Sequence, residues 1–448
     1  MSLKHSLEWA RSNLEIFIVA FVMAMLIRCF CIEVFKIPSG SMEPTLHGDM
    51  ANGDRIIANK FGLYFHQTKR FDVILFKYPL NKSTNFIKRV VGLPDEELLI
   101  HGGDLYSKPT GRDKFTITRK RLDTQQAMWI PAYEWDGAEG VFRDEWDVAN
   151  YGDKFAVRDG RLSFTNSELS YRRNVRDHYP DGRGGRNIVP DIKLAARFRM
   201  PEAGAELKLS LNTVNGGFTL FLRTGENSLA EYKTSTPPTS QSFILNKVNV
   251  KEAKDHLVEC MNFDGMICVL LDGREIFRHS YMEDFDDVTR FFDNKISIGA
   301  NAKEVTLWDL RILRDVYYSG DYDYRSVFKE DKPVFIPKNK YVVFGDNVPN
   351  SKDSRLWTKK IITLKDGRVI ECDPEPRFFN DDQAAGLLRI QRIEAENRGG
   401  DIWGLTYEIK YADIVDIKEE NSIFVDKDEI FGCGIMVYWP PKRVKIIN

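Results

Sequence analysis

The hydrophobic pattern begins with an apolar segment near the start of the chain. Residues 16–27 carry no charge, Arg28 interrupts the run, and residues 29–32 continue it. This length lies between the apolar region of a secretory signal and a spanning helix of about 20 residues. No A-x-A cleavage pattern follows, and Arg28 could extend its guanidinium to the membrane interface. We expect an uncleaved transmembrane anchor over 14–35 behind a cytoplasmic tail at 1–13, with a cleaved signal as the alternative.

Beyond this segment the pattern is that of short strands separated by turns. Four β-like runs come first, and each is bounded by Gly, Pro or Asn-Lys: GDRIIANKF, DVILFKY, NFIKRVVGLP and ELLIHGGDLY. A long block of alternating residues follows; in IKLAARFRM (192–200), for example, every second side chain is apolar. Short strands and turns at this spacing predict a β-sandwich over 111–319.

One hairpin inside this block makes a specific prediction about two cysteines. Asp264-Gly265 is typical of a two-residue turn, which would pair 263 with 266 and 261 with 268. Cys260 would then lie one position away from the partner of Cys268, and a one-residue offset places two side chains on opposite faces of a sheet. We therefore predict that Cys260 and Cys268 form no disulfide.

Composition limits the remaining possibilities. A chain of 448 residues predicts several domains. The 64 Lys and Arg residues balance 66 Asp and Glu residues, so no overall field favours a nucleic-acid partner. Six cysteines without a CxxC pair indicate neither a zinc site nor a disulfide framework, and no metal or cofactor is expected.

The stretch IPSGSMEPTL (37–46) contains the first candidate chemistry. Pro38 and Pro44 stiffen a serine turn, and Gly40 permits a tight turn, even one with positive φ, that presents Ser41. A serine hydroxyl needs a neighbouring base, and a lysine can act as one only when burial makes its amine neutral. Lys88 lies inside the apolar run NFIKRVVGLP. In a strand Lys88 and Arg89 point to opposite faces, so one can be buried while the other reaches solvent.

A histidine base is the alternative for the serine. A Ser-His-Asp triad is not excluded by the sequence, but His47, the histidine nearest to Ser41 along the chain, has no evident acidic partner to orient it. The simpler interpretation of His47 is a loop histidine.

Four motifs in chain order resemble the bacterial type I signal peptidase family, which uses a Ser/Lys dyad. They are IPSGSMEPTLHGD, DVILFKYP, FIKRVVGLP and GDNVPNSKDSR. The resemblance implies a mainly β catalytic core behind one N-terminal transmembrane helix. It divides that core into segments 36–110, 320–357 and 422–448, and it leaves 111–319 and 358–421 as insertions.

The resemblance also assigns roles to individual residues. Ser41 would be the nucleophile and Lys88 the general base, while the Ser39 hydroxyl and the Ser41 backbone N–H would form the oxyanion hole. Ser351 would hydrogen-bond the Lys88 amine and orient it. The remaining supporting residues share the last motif: Asp353 and Arg355 as an ion pair, with Gly345, Asp346 and Asn347 before them. Asp95 and Val348 depart from the family pattern, which commonly has glycine and often arginine at these positions.

The implied function is removal of signal peptides from preproteins, after a small residue, at the outer face of the bacterial cytoplasmic membrane. Its implied partners are signal peptides and the lipid bilayer. The segment 111–319 loosely resembles a concanavalin or laminin-G sandwich; it would bind an unidentified glycan or protein, or be a structural insertion without a ligand. Two alternatives remain: an anchored binding protein whose sandwich is the working part, and a self-cleaving repressor. For the repressor we find no helix-turn-helix.

Overall fold

The structure is a computed structural model that describes residues 3–64, 67–148, 154–179, 182–235, 237–246, 248, 250–287, 293–320, 326–374, 379–391 and 406–447. The chain is mainly β, as predicted. Its α-helices are α1 (Leu3–Leu26), α2 (Leu122–Met128) and α3 (Glu139–Glu145). It forms two compact units: unit 1 comprises 1–95, 325–327 and 336–448, and unit 2 comprises 96–324 and 328–335.

The strands are numbered in chain order. Those before residue 96 are β1 (Ile32–Lys36), β2 (Arg55–Asn59), β3 (Val73–Tyr78) and β4 (Asn81–Gly92). Those from Glu96 to Ile336 are β5 (Glu96–His101), β6 (Asp104–Pro109), β7 (Thr116–Ile117), β8 (Ile130–Glu134), β9 (Trp146–Asp147), β10 (Phe155–Arg158), β11 (Arg161–Phe164), β12 (Ser167–Tyr171), β13 (Ile192–Arg199), β14 (Glu206–Thr213), β15 (Gly216–Arg223), β16 (Ser228–Ser235), β17 (Pro238–Leu245), β18 (His256–Phe263), β19 (Met266–Leu271), β20 (Arg274–Ser280), β21 (Ile296–Ala300), β22 (Val305–Arg314) and β23 (Val334–Ile336). Those that follow are β24 (Lys340–Phe344), β25 (Thr358–Leu364), β26 (Val369–Cys372), β27 (Phe379–Asp382), β28 (Leu387–Gln391), β29 (Thr406–Lys410), β30 (Ile414–Asn421), β31 (Val425–Asp426), β32 (Ile430–Trp439) and β33 (Lys445–Ile446).

Unit 1 is built on one sheet with the strand order β1-β2-β32-β3-β4-β24-β31, and β33 pairs with β32. The central strand β3 is buried on both faces. Val73 and Leu75 join one apolar cluster, while Ile74 and Phe76 join the cluster on the opposite face. Alternate side chains of a strand point to opposite faces, which explains why the run VILF is apolar throughout. Residues 358–421 contribute two small sheets, β26-β25-β30 and β27-β28-β29.

Unit 2 contains two large sheets that share one core. The first has the order β10-β11-β22-β13-β18-β19-β20, with β8 paired to β22, and the second has the order β17-β16-β15-β14-β21-β12-β9. Leu194 and Phe198 from the first sheet join Leu207 and Leu209 from the second in a single apolar cluster. The predicted β-sandwich is therefore confirmed; its likeness to the concanavalin and laminin-G class stays a prediction.

The hairpin register is also confirmed. Phe263 pairs with Met266 and Met261 with Cys268, so Cys260 pairs with Val269. Asp264 and Gly265 have φ of 46° and 68°, the left-handed values that a type I′ turn requires. Cys260 packs in the sandwich core and Cys268 in a different cluster, and both are free thiols.

The predicted spanning helix over 14–35 is wrong in its extent. Helix α1 ends at Leu26, a π-helical turn covers Ile27–Cys31, and β1 begins at Ile32. The last residues of the predicted span therefore pair with β2 at the edge of the sheet. Among the described residues, no helix is both long enough and apolar enough to cross a membrane.

The compact unit that contains the sandwich starts earlier than the predicted boundary at residue 111. Strands β5 and β6 pair with each other along their whole length, from Glu96↔Pro109 to His101↔Asp104. They belong to unit 2, so the first segment of unit 1 ends at Asp95 rather than at residue 110.

Candidate active site

Ser41 lies in a short 3₁₀ turn, Gly40–Met42, that is anchored to the core of unit 1. The side chains of Met42 and Leu46 are buried in the same apolar cluster, and the Leu46 N–H donates to the Met42 carbonyl at 2.8 Å. The buried apolar side chains of Met42 and Leu46, on either side of residues 43–45, therefore fix the turn. Ser41 is itself only 8% exposed.

Lys88 faces this serine from the middle of β4, where it pairs with Ile74 of β3. Its amine lies 2.7 Å from Ser41 Oγ and donates to the Ile87 carbonyl at 3.0 Å. The side chain is 4% exposed. Burial lowers the pKa of Lys88 to about 8, although the charges of Asp353 and Asp346 oppose this effect. About a fifth of the amine is therefore neutral at pH 7.4, as a base for Ser41 requires.

Arg89 corrects the expectation that one of the two neighbouring cations reaches solvent. It is fully buried on the other face of β4 and forms a bidentate ion pair with Asp346, at 2.9 Å from Nε and 2.8 Å from Nη2. Thr45, four residues after the nucleophile, donates to Asp346 at 2.5 Å and accepts from Arg89 at 2.9 Å. The network joins β4, the serine loop and the loop after β24.

The loop after β24 clamps the serine turn through its backbone. The Asn347 N–H donates to the Ser41 carbonyl at 3.2 Å, and Asn347 Nδ2 donates to the Gly40 carbonyl at 3.0 Å. A Cβ on Gly345 would lie 2.4 Å from the Ser41 carbonyl oxygen and 2.2 Å from Ser351 Oγ. Only glycine allows so close an approach. The predicted supporting residues Gly345, Asp346 and Asn347 thus all lie beside the Ser41 loop.

Asp353 and Arg355 form the predicted ion pair, with Arg355 Nε 2.8 Å from the carboxylate. Asp353 also accepts the Gly345 N–H at 2.8 Å. Burial alone would raise the pKa of Asp353, but the Arg355 charge and these hydrogen bonds lower it below its usual value. The carboxylate is therefore ionised at neutral pH and fixes the glycine that approaches Ser41.

The predicted hydrogen bond from Ser351 to the Lys88 amine is not formed in this structure. Ser351 is buried next to Gly345, and its hydroxyl lies near the Asp353 carboxylate, whose pKa it helps to lower, without forming a hydrogen bond of good geometry. The Lys88 amine is instead occupied by Ser41 and the Ile87 carbonyl. Ser351 therefore lies in the site, but its role in orienting the lysine stays a prediction.

Ser39 and His47 occupy the surface of the same loop. Ser39 is exposed at the start of the 3₁₀ turn, and its side chain makes no capping hydrogen bond. His47 does have an acidic partner, because its Nδ1 lies 2.9 Å from Glu43, but both side chains are exposed. Since Lys88 contacts the Ser41 hydroxyl, the loop interpretation of His47 fits the structure better than a catalytic one.

The sequence did not identify Thr45 and Gly48 as residues of this site, and it did not predict that Arg89 is buried. A Cβ on Gly48 would lie 1.7 Å from the Ser39 carbonyl oxygen, so this glycine is needed for loop closure. Gly40, by contrast, does not adopt the positive φ that its place in the serine turn would permit. The signal for Thr45 and Gly48 was present, since both lie in the motif IPSGSMEPTLHGD.

The two departures from the family pattern have local explanations. Asp95 has a φ of 61°, in the left-handed region that glycine adopts most easily. Val348 is buried at the start of a 3₁₀ turn, and its carbonyl accepts a hydrogen bond from Arg355 at 3.3 Å. Neither side chain contacts Ser41 or Lys88 in a described hydrogen bond.

Comparison with protein families agrees with this geometry. The model of the family described as "Signal peptidase, peptidase S26" matches residues 7–168 and 274–370, more than half of the chain. This chain belongs to that family. The gap in the match, 169–273, lies inside unit 2 of this signal peptidase family member.

Individual relatives cover smaller shares. Signal peptidase I of Pseudomonas fluorescens is 37% identical over 126 residues, which is 24% of this chain and 43% of that protein. Signal peptidase I of Leptolyngbya laminosa is 35% identical over 138 residues, which is 29% of this chain and 60% of that protein. The chain thus spans about half the length of the curated relatives that it matches.

Among solved structures, the Emp46p carbohydrate recognition domain in its potassium-bound form is similar to 41% of this chain and 97% of its own, at 13% identity and a TM-score of 0.28. That score is too low to indicate a shared function.

Proposed function

We propose that this chain is a serine endopeptidase that removes N-terminal signal peptides from exported preproteins. The observation that carries the proposal is the 2.7 Å contact between Ser41 Oγ and the buried amine of Lys88. A buried lysine with a lowered pKa can accept a proton, and a serine in hydrogen-bond contact with it becomes a nucleophile. Membership of the signal peptidase family supports the choice of substrate.

In the proposed mechanism, neutral Lys88 takes the Ser41 proton as Ser41 Oγ attacks the carbonyl carbon of the scissile bond. The oxyanion accepts hydrogen bonds from the Ser41 N–H and the Ser39 hydroxyl. Lys88 then returns the proton to the leaving amine, which leaves an acyl-enzyme on Ser41. Water deprotonated by Lys88 hydrolyses this ester and regenerates both residues.

The two buried ion pairs would hold this geometry. Asp346 and Arg89 join the serine loop to the strand that bears Lys88, and Asp353 fixes Gly345 against the Ser41 carbonyl. Neither pair contacts the Ser41 hydroxyl, so both are positioning groups. They keep two reacting atoms at hydrogen-bond distance before substrate arrives, which is how preorganisation lowers a barrier.

We also propose that the enzyme works at the outer face of the bacterial cytoplasmic membrane. Support comes from the exposed apolar side chains along α1, including Phe17 at 66% exposure and Phe21 at 57%. Sedimentation with phospholipid vesicles tests this: the full chain should pellet with vesicles, and Phe17→Glu with Phe21→Glu should reduce binding. The exposed substitution Arg11→Ala is the matched control. Equal binding by all three proteins would contradict the proposed contact.

The decisive test of the activity is mass spectrometry of a preprotein incubated with the purified protein. The expected result is a single cut after a small residue at the signal-peptide junction, absent with Ser41→Ala and retained with Ser83→Ala, an exposed serine on β4. An unprocessed preprotein with the native chain would favour the alternative, a binding protein whose sandwich is the working part. The contact between Ser41 and Lys88 supports the enzyme interpretation over the binding-protein interpretation.

A further inference from the structure

The loop that carries Ser41 is closed at its base by one aspartate, Asp54. The Asp54 N–H donates to the His47 carbonyl at 2.9 Å, and a carboxylate oxygen of Asp54 accepts the His47 N–H, also at 2.9 Å. At the other end of the loop, the Ile37 N–H donates to the Asp54 carbonyl at 2.8 Å. Asp54 therefore ties together residues on both sides of the nucleophile.

The Asp54 side chain is fully buried, and Arg443 compensates its charge. Arg443 donates to both oxygens of the carboxylate, at 2.8 Å from Nε and 3.0 Å from Nη2. Among the described residues it is the only ion-pair partner of Asp54. A bidentate arginine–carboxylate pair fixes both the distance and the orientation of its two groups. Arg443 thereby holds in place the acceptor to which the serine loop is bonded.

Arg443 lies outside the four sequence motifs, in a segment that also packs against the serine loop. It ends the 3₁₀ turn Pro441–Arg443, and β33, which follows, pairs with β32 in the sheet of unit 1. Ile447, just after β33, is buried in the same apolar cluster as Met42 and Leu46, the residues that fix the serine turn. This segment therefore supports the serine loop through an ion pair and through apolar packing.

Asp54 complements the Asp346 network, which reaches the same loop from β4. Asp346 accepts a hydrogen bond from Thr45, and Asp54 accepts one from His47, only two residues further along. Each carboxylate is buried and is paired with an arginine. No described hydrogen bond joins Asp54 to the Ser41 hydroxyl, so this carboxylate acts through the position of the loop.

We propose that Arg443 is a positioning residue of the peptidase, which acts through Asp54 on the loop that presents Ser41. The inference rests on the proposed function. Without the guanidinium, the Asp54 carboxylate would be a buried charge without a counter-ion, and the loop would have to move to give it water. Such a movement disturbs the contact between Ser41 and Lys88. It therefore slows the chemical step and leaves substrate binding largely unchanged.

The test compares Arg443→Ala with Lys442→Ala, which removes an exposed cation from the same 3₁₀ turn of the full chain. Arg443→Ala should lower kcat by about 10² and keep KM within about twofold of the native value, whereas Lys442→Ala should change neither. Because the Arg443 side chain is 38% exposed, guanidinium ion at millimolar concentration can enter the space that it leaves. The ion should restore part of the lost kcat, and it should not raise the rate of the native chain or of Lys442→Ala.

A second variant covers the case in which Arg443→Ala does not fold. Arg443→Lys keeps the positive charge beside Asp54 but loses the bidentate geometry, so it should fold and give an intermediate kcat. A native kcat in whichever of the two variants folds would overturn the proposal. A raised KM with a native kcat would mean that Arg443 contacts the substrate, and it would overturn the proposal too.

Backbone amide exchange gives a measurement that does not depend on cleavage. The His47 N–H, which donates to Asp54, should exchange about tenfold faster in Arg443→Ala than in the native chain or in Lys442→Ala. Unchanged exchange would show that the loop does not depend on the pair, and faster exchange with a native kcat would show that the pair only stabilises the loop; either result overturns the proposal. If the native chain cleaves no signal peptide, the proposed function fails, and the exchange of the His47 N–H still decides whether Arg443 holds the loop.

Discussion

Arg89 and Asp346 form a bidentate ion pair from which solvent is excluded, one residue along β4 from Lys88. Thr45 completes the network from the serine loop. Removing one partner would leave the other as a buried, uncompensated charge. Asp346→Asn should therefore destabilise unit 1 by about 3–5 kcal/mol, far more than loss of an exposed pair. Denaturant unfolding measures this change, with Asp366→Asn as the exposed control. Equal stability of the two variants would contradict the structural role of the pair.

Substitution of the dyad should eliminate cleavage without unfolding the protein. Ser41→Ala and Lys88→Ala should each reduce kcat to background, and the double variant should lose no more than either single one, because the two residues act as one unit. Lys82→Ala is the matched control, since Lys82 lies on the same strand and is 48% exposed. Near-native turnover by Lys88→Ala would remove the lysine from its proposed role.

The pH dependence of cleavage should follow the amine of Lys88. Burial lowers its pKa to about 8, and only the neutral amine can accept the Ser41 proton. The value of kcat/KM should therefore rise with pH, level off above about 8, and fall roughly tenfold for each pH unit below that value. A peptide substrate without ionisable groups near the cut isolates this effect. A flat profile between about pH 6 and 9 would argue against a lysine base.

Gly345 should tolerate no larger side chain. An added Cβ would meet the Ser41 carbonyl and the Ser351 hydroxyl well inside van der Waals contact, so the serine turn must shift. A shift of about 1 Å at the nucleophile can reduce the rate by about 10². Gly345→Ala should therefore lower kcat strongly, whereas Gly140→Ala in helix α3, where nothing lies within 4 Å, should not. Equal activities would show that the turn adapts to the methyl group.

Local patterns were enough to predict some parts of this fold. The Asp264-Gly265 turn set the register that separates Cys260 from Cys268, because a two-residue hairpin leaves only one pairing. The predicted extent of the N-terminal helix is wrong because the apolar residues of β1 follow the helix directly and continue its apolar run. Strand pairing is a non-local contact, and an apolar run of this length does not distinguish a helix end from an edge strand.

The site was predictable as a set of motifs but not as a network. Ser41, Lys88 and the residues of GDNVPNSKDSR were found in sequence, and they converge in unit 1. The burial of Arg89 could not be predicted from the sequence. Strand alternation predicts that neighbouring residues point to opposite faces, but it does not predict that both faces are covered by other parts of the protein. The partner of Arg89, Asp346, lies 257 positions away along the chain, a separation that no local pattern spans.

The most demanding prediction concerns the removal of unit 2. The chain leaves unit 1 after Asp95 and, apart from the short segment 325–327, returns at Ile336, where the Asp95 N–H donates to the Ile336 carbonyl at 3.0 Å. The two ends are therefore at hydrogen-bond distance within unit 1, so a short loop can join them, and closing a short loop costs little entropy. Ser41, Lys88, Asp346 and Asp353 all lie in what remains.

Replacement of residues 96–335 by a turn of about four glycine and asparagine residues should thus give a folded protein that still cleaves a soluble signal peptide. The measurements are kcat/KM and thermal unfolding, with the same deletion carrying Ser41→Ala as the control for background cleavage. The turn must be tested at several lengths, because too short a loop would strain β4 and β24. The deletion also removes residues 325–327 of unit 1. If every length gives a folded protein without activity, the removed residues supply part of the substrate site, and the block 96–335 is more than an insertion in the peptidase.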